Sequence, residues 1–130
     1  MSNELTTNTE NKITLLNKQE LSDIVKPLNR EIYLFDTFIA GTLLLRDPEL
    51  LKKVEVGEKL VLRREEKIYD SNCINIYNSS DEKLGFIPEK DNVVFARLMD
   101  AGKCLIAKVS DIQDKSHMKV ITIGIYLVDF

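Results

Sequence analysis

Lys119-Val120-Ile121-Thr122-Ile123-Gly124-Ile125-Tyr126-Leu127-Val128 is the stretch that decides the fold. Side chains alternate across a strand, so Ile121, Ile123, Ile125 and Leu127 share one face, and Val120, Thr122, Gly124 and Tyr126 share the other. A strand with one fully apolar face fills a core on that side and leaves the second side for a helix or for solvent. Immediately upstream, residues 104–112 read as its partner strand, joined to it by the polar turn Gln113-Asp114-Lys115-Ser116-His117. His117, alone in that turn, reads as a surface residue.

Further upstream the same signals recur. Pro88 opens a helix that runs to Ala101 and is stopped by Gly102, with Val94, Phe95, Leu98 and Ala101 as its apolar face. Residues 73–77 and 83–87 form a hairpin around the turn cluster Asn78-Ser79-Ser80-Asp81. Leu60 and Leu62 alternate with Val61 and Arg63 in a strand over residues 59–64. Asp47 and Pro48 start a short helix through Lys53, with Glu49 early and Lys52-Lys53 late, as the helix dipole favours. Residues 32–45, dense in β-branched and aromatic side chains, read as a long first strand with Gly41 as a bulge or bend. Ahead of it, Asn17 caps a short amphipathic helix carrying Leu21, Ile24, Val25 and Leu28, ended by Pro27. Residues 1–12 are polar and aperiodic and read as a disordered leader.

The sum is a mainly β domain: a small six-stranded barrel, with a helix between the fourth and fifth strands and a short helix after the first. Residues 1–30 form an N-terminal tail with its helix, and residues 31–130 form the domain.

The chain has 130 residues, 44% hydrophobic and 30% charged, which suits one domain with its own core. The formal net charge of −3 means that any nucleic-acid contact must come from a local basic patch. The first residues lack a basic and then apolar leader, and no apolar run is long enough to span a bilayer, so the expected setting is cytoplasmic, away from membranes. Cys73 and Cys104 both fall in apolar strand patterns and are expected to be buried thiols. One histidine and no paired-cysteine motif leave too few ligands for a zinc site, and no cofactor is expected. No nucleophile–base set, glycine-rich phosphate loop or metal cluster is present, so the chain is not expected to be an enzyme. Glu65 and Glu66 point to opposite sides of a strand end and do not make an acid/base pair.

The most distinctive polar segment is Arg63-Arg64-Glu65-Glu66-Lys67-Ile68-Tyr69-Asp70-Ser71-Asn72-Cys73, which links the second and third strands. Polar and aromatic groups on a loop held by a sheet are typical of a recognition edge.

Taken together, Phe35-Asp36-Thr37-Phe38-Ile39-Ala40-Gly41-Thr42, Val56-Gly57-Glu58, Arg63 with Tyr69-Asp70-Ser71-Asn72-Cys73-Ile74, and Leu84-Gly85-Phe86-Ile87-Pro88 form an ordered set. Leu98-Met99-Asp100-Ala101-Gly102 and Tyr126-Leu127-Val128-Asp129 complete it. This set resembles the HIRAN domain, found alone in bacteria and at the N-terminal end of Swi/Snf-type DNA-dependent ATPases in eukaryotes. The resemblance covers residues 31–130. It implies an OB-like barrel and a non-catalytic module for single-stranded DNA. In the eukaryotic DNA binder, bases stack on tyrosines and an aspartate beside one of them meets the terminal 3′-hydroxyl; by position these are Tyr69 and Asp70.

Two departures stand out. Leu43-Leu44-Leu45, followed by Arg46, replaces an Arg-Tyr-Tyr run. Phe86 and Pro88-Glu89-Lys90 replace a histidine and basic residues. The candidate nucleic-acid contacts are therefore Tyr69 and Phe86 for stacking and Asp70 for the hydroxyl. Arg63, Lys67, Arg46 and Lys90 are the candidates for phosphate, and Asn72 shapes the loop or touches the ligand. Arg63 is equally a candidate for an ion pair with Asp70 or Glu65. The alternative function is a protein-interaction domain that has lost DNA binding and meets its partner through the helix of residues 13–28.

Overall fold

The structure, a computed structural model, describes residues 30–129. The leader and the N-terminal helix expected from the sequence lie outside the described residues.

Six strands make one sheet: β1 (Arg30–Phe38), β2 (Lys59–Arg64), β3 (Ile74–Tyr77), β4 (Lys83–Phe86), β5 (Cys104–Lys115) and β6 (Met118–Asp129), in the order β1-β6-β5-β2-β3-β4. A short helix α1 (Glu49–Lys52) follows β1, and α2 (Asn92–Asp100) lies between β4 and β5. β2 pairs antiparallel with β3 and β5, as do β3 with β4 and β5 with β6. β1 runs antiparallel to β6, since the Tyr33 ring meets Tyr126 and, further on, the Ile39 N–H donates to the Ile121 carbonyl.

The sheet curls into a half-barrel. Just past β1, Ala40 and Phe86 exchange both backbone hydrogen bonds, at 2.9 and 3.0 Å, so the far edge at β4 is tied back to the first strand. A bulge helps the long β5–β6 ribbon to bend: Val109 pairs with Ile123 and Asp111 with Thr122, leaving Ser110 as the extra residue, its hydroxyl on the Thr122 carbonyl.

The concave side is the core, and it follows the two-residue period. Ile121, Ile123 and Ile125 are fully buried, facing Leu60 and Leu62 of β2, Ile74 and Ile76 of β3, Leu84 of β4 and Val109 of β5. Phe95 and Ala96 of α2 join the same core.

Several expectations are corrected. The first strand ends at Phe38, not Leu45, because Gly41 takes a left-handed φ of 76° and starts a 3-10 turn at Thr42–Leu44. The β5–β6 turn is shorter than the polar run implied. The strands continue to Lys115 and Met118, and Ser116 and His117, with φ of 41° and 71°, make a two-residue reversal matched to the strand twist. The buried face of α2 is Asn92, Phe95 and Ala96, whereas Val94 and Ala101 are exposed. The true stripe starts on a polar residue, which an apolar count passes over. Cys73 is buried as expected, but Cys104 is exposed at the first position of β5.

The helix starts shift and the glycine stop holds. Pro48, not Asp47, is the N-cap of α1, with the Asp47 carboxylate accepting the Glu49 N–H at 3.0 Å, and Pro88 leads into a 3-10 turn at Glu89–Asp91 before α2 begins. Gly102, with φ 92°, ends α2 by donating to the Met99 carbonyl while Lys103 donates to that of Leu98.

Candidate nucleic-acid interface

The loop between β2 and β3 is a small structure of its own. Glu65 N–H donates to the Cys73 carbonyl, and Lys67 and Asp70 exchange backbone hydrogen bonds of 3.0 and 3.1 Å. This leaves Ile68 and Tyr69 as a two-residue tip, Ile68 fully in solvent and Tyr69 79% exposed.

Arg64 anchors the returning limb. Its guanidinium donates to the carbonyls of Cys73 (2.8 Å) and Ser71 (3.0 Å) and forks onto both oxygens of Asp100, at 2.8 and 3.1 Å, at the end of α2. The fork holds the Asp100 carboxyl below its usual range and raises Arg64 above its own. Glu65 is likewise lowered, chiefly by the hydrogen bond it accepts from the Asn75 amide.

Asp70 is held from two sides. One oxygen accepts the Asn72 N–H at 3.0 Å, and the other accepts the side-chain N–H of Asn92 at 3.0 Å. Asn92 opens α2, and the residue before it is tied to β1: the Asp91 carboxylate accepts the Thr37 hydroxyl at 2.7 Å and the Lys90 ammonium at 2.8 Å. Those two donors, Lys90 first, lower the Asp91 carboxyl below its ordinary value. The end of β1, the start of α2 and the loop are thus linked in one chain, through the hydrogen bonds on Asp91 and Asn92 and the peptide bond between those two residues.

Two aromatic rings flank a lysine beside this chain. The Lys67 ammonium lies 5.9 Å from the Tyr69 ring centroid and 5.9 Å from that of Phe86. Phe86 itself lies over Gly41, where a Cβ would come within 2.2 Å of the ring. Lys90 sits 5.8 Å over the Phe38 ring. Cys73, beneath the loop, is a poor nucleophile, because burial pushes its thiol above the usual value.

The residues expected at the site divide into two groups. Tyr69, Asp70, Lys67, Phe86 and Asn72 come together at the loop, with Lys90 on its β1 side. Arg63 does not join them. It projects from the opposite face of β2, 4.5 Å over the Tyr77 ring and paired with Asp81, so neither Asp70 nor Glu65 is its partner. Arg46 is exposed in the segment between the 3-10 turn and α1. Sequence reasoning missed Asn92, Asp91 and the anchoring role of Arg64. The available signal was Asn92 at the head of an otherwise apolar stripe with Phe95 and Ala96.

Among the described residues no group of histidine, cysteine and acidic side chains could hold a metal ion, and no helix is long and apolar enough to cross a membrane.

The HIRAN domain family matches residues 32–127, nearly the whole described fold. The chain belongs to the HIRAN domain family. A crystal structure of a protein from Lactobacillus plantarum has the same fold, with a TM-score of 0.71 and 24% identity, covering 78% of this chain and 99% of that one. The crystal structure of the HIRAN domain of human HLTF matches with a TM-score of 0.61 and 16% identity, over 77% of this chain and 78% of that one. No curated protein matches the chain. HIRAN domains are in general DNA-binding modules. In this HIRAN fold the β2–β3 loop, the end of β4 and the 3-10 turn after β1 converge at the point where the half-barrel is tied together.

Proposed function

We propose that this protein is a non-catalytic nucleic-acid-binding module that takes the 3′ end of single-stranded DNA on the loop of residues 67–72. The observation that carries the reading is the pairing of Tyr69, 79% exposed, with an adjacent carboxylate, Asp70, held by two donors. An exposed ring stacks any base, worth roughly 1–3 kcal/mol. A carboxylate accepts about four hydrogen bonds, so two donors leave acceptor capacity for a terminal hydroxyl. An internal phosphodiester offers no such donor, and a terminal phosphate would meet Asp70 with like charge.

Phe86 supplies a second aromatic surface, and Lys67, between the two rings, is the nearest cation for the last phosphate. Lys90 extends the basic edge toward Phe38, with Asn72 holding the loop and Arg46 as an outlying cation. Arg63 belongs to the outer sheet face and drops out of this site. The domain is residues 31–130, in the OB-like class. Its setting is the cytoplasm, and the process is repair of exposed DNA ends.

Two lysines set the expected salt response. The logarithm of affinity falls with that of salt with a slope of about 1 to 1.5, since each phosphate neutralised on a single strand contributes about 0.7. The test is fluorescence anisotropy with a short single strand ending in either a 3′-hydroxyl or a 3′-phosphate. The hydroxyl strand should bind about tenfold more tightly, as expected for one hydrogen bond to a charged group. Equal affinities, or none, would remove the end-capture mechanism.

A second reading is a protein-interaction surface, favoured by Leu43 and Leu44, which are 75% and 79% exposed on the 3-10 turn beside β4. Exposed leucines there suit an apolar partner better than a phosphate chain.

A further inference from the structure

The start of α2 carries a side chain whose burial and bonding do not fit a purely structural role. Asn92 is fully buried in the stripe that also holds Phe95 and Ala96. Its amide nitrogen donates to Asp70, 22 positions earlier in the chain, at 3.0 Å. Its amide oxygen is buried too, and no group among the described residues donates to it. A buried acceptor without a donor costs stability, and a leucine of nearly the same shape would carry no such cost. What the amide provides in return is the single bond that it makes.

That bond fixes a carboxylate. The Asn72 N–H holds one Asp70 oxygen and Asn92 holds the other, so the carboxylate plane is set between the loop and the helix. The Asn72 bond alone is local and moves with the loop. The Asn92 bond ties Asp70 to an element whose own start is locked by Thr37 and Lys90 acting on Asp91. Both donors suit the ionised, acceptor-only form of the carboxylate.

We propose that Asn92 is a positioning residue that orients the Asp70 carboxylate, and through it sets the preference for a 3′-hydroxyl over a 3′-phosphate end. This rests on the 3′-end reading above. It assigns the discrimination to a residue that the DNA never touches, acting through preorganisation of the group that the DNA does touch.

The experiment compares wild type with Asn92→Leu, which deletes the donor and the orphaned acceptor together. In anisotropy titrations with the two strands, the hydroxyl-to-phosphate affinity ratio should fall about tenfold, while the 3′-phosphate strand stays within about twofold of wild type. An unchanged ratio overturns the proposal. Amide hydrogen exchange at Asn72 reads the same point without DNA: it should quicken in Asn92→Leu as Asp70 is freed, and unchanged exchange contradicts the positioning role. If wild type shows no end preference, the function reading fails, and the exchange measurement alone decides whether Asn92 orients Asp70. Should Asn92→Leu not fold, Asp70→Asn in an otherwise native chain should shift the Asn92 side-chain NH2 resonances; no shift would overturn the bond itself.

Discussion

Gly85→Ala is expected to lower stability by about 3 kcal/mol, which for a domain of this size is about 15 °C in thermal midpoint. The reason is the closure of the half-barrel. A Cβ on Gly85 would lie 2.3 Å from the Ala40 carbonyl oxygen and 2.6 Å from the Ile39 side chain. The oxygen belongs to the backbone and accepts the Phe86 N–H, so it cannot swing aside without breaking the Ala40–Phe86 pair. Losing that pair parts β4 from the chain beyond β1 and lifts the Phe86 ring off Gly41. Gly124→Ala is the control. Its Cβ would meet the Tyr126 ring edge at 3.1 Å and the Asp36 carboxylate at 3.4 Å, both side-chain atoms that can give. A melting curve for Gly85→Ala that overlays wild type would mean that the two edges are not joined as described.

Tyr69→Ala should weaken binding to a short single strand about thirtyfold, the middle of the range for removing one stacked base. Stability should not change, because Tyr69 is 79% exposed and the Lys67 ammonium is 5.9 Å from its ring centroid. This separation of effects makes the variant informative: a buried rim aromatic would cost stability on truncation, whereas a stacking platform costs only affinity. Tyr69→Phe should keep most of the binding, since the face of the ring does the work. Thermal denaturation and anisotropy titration on the same samples provide the check. Loss of both stability and binding would return Tyr69 to a structural role.

The parts of the fold legible in the sequence are those fixed by local pattern. The alternation of Ile121, Ile123 and Ile125, the Leu60–Leu62 pair, the Asn78–Asp81 turn and the Gly102 stop are each set within a few residues. The parts that were not legible depend on distant partners. β1 ends early because Ala40 turns to pair with Phe86, which no window around Gly41 contains. The face of α2 was misread because its first buried residue is polar, and its partner, Asp70, lies on another element.

The candidate site divides in the same way. Tyr69 and Asp70 are neighbours in the chain, and the family resemblance placed them together. The anchoring role of Arg64 was not legible, because its four hydrogen bonds reach Ser71, Cys73 and Asp100, up to 36 residues away. Arg63 and Arg64 look alike in sequence, yet strand alternation sends one to Tyr77 and Asp81 and the other to the loop.

DNA is expected to meet the protein where the loop of residues 67–72 joins the tied end of the half-barrel. Amide chemical-shift mapping during titration with a short 3′-hydroxyl single strand tests it most directly. The shifts should concentrate at residues 67–73, at Phe86 and at residues 90–92. Shifts confined to the outer sheet face around Tyr33, Val61, Tyr77 and Tyr126, or to Leu43 and Leu44 alone, would contradict it.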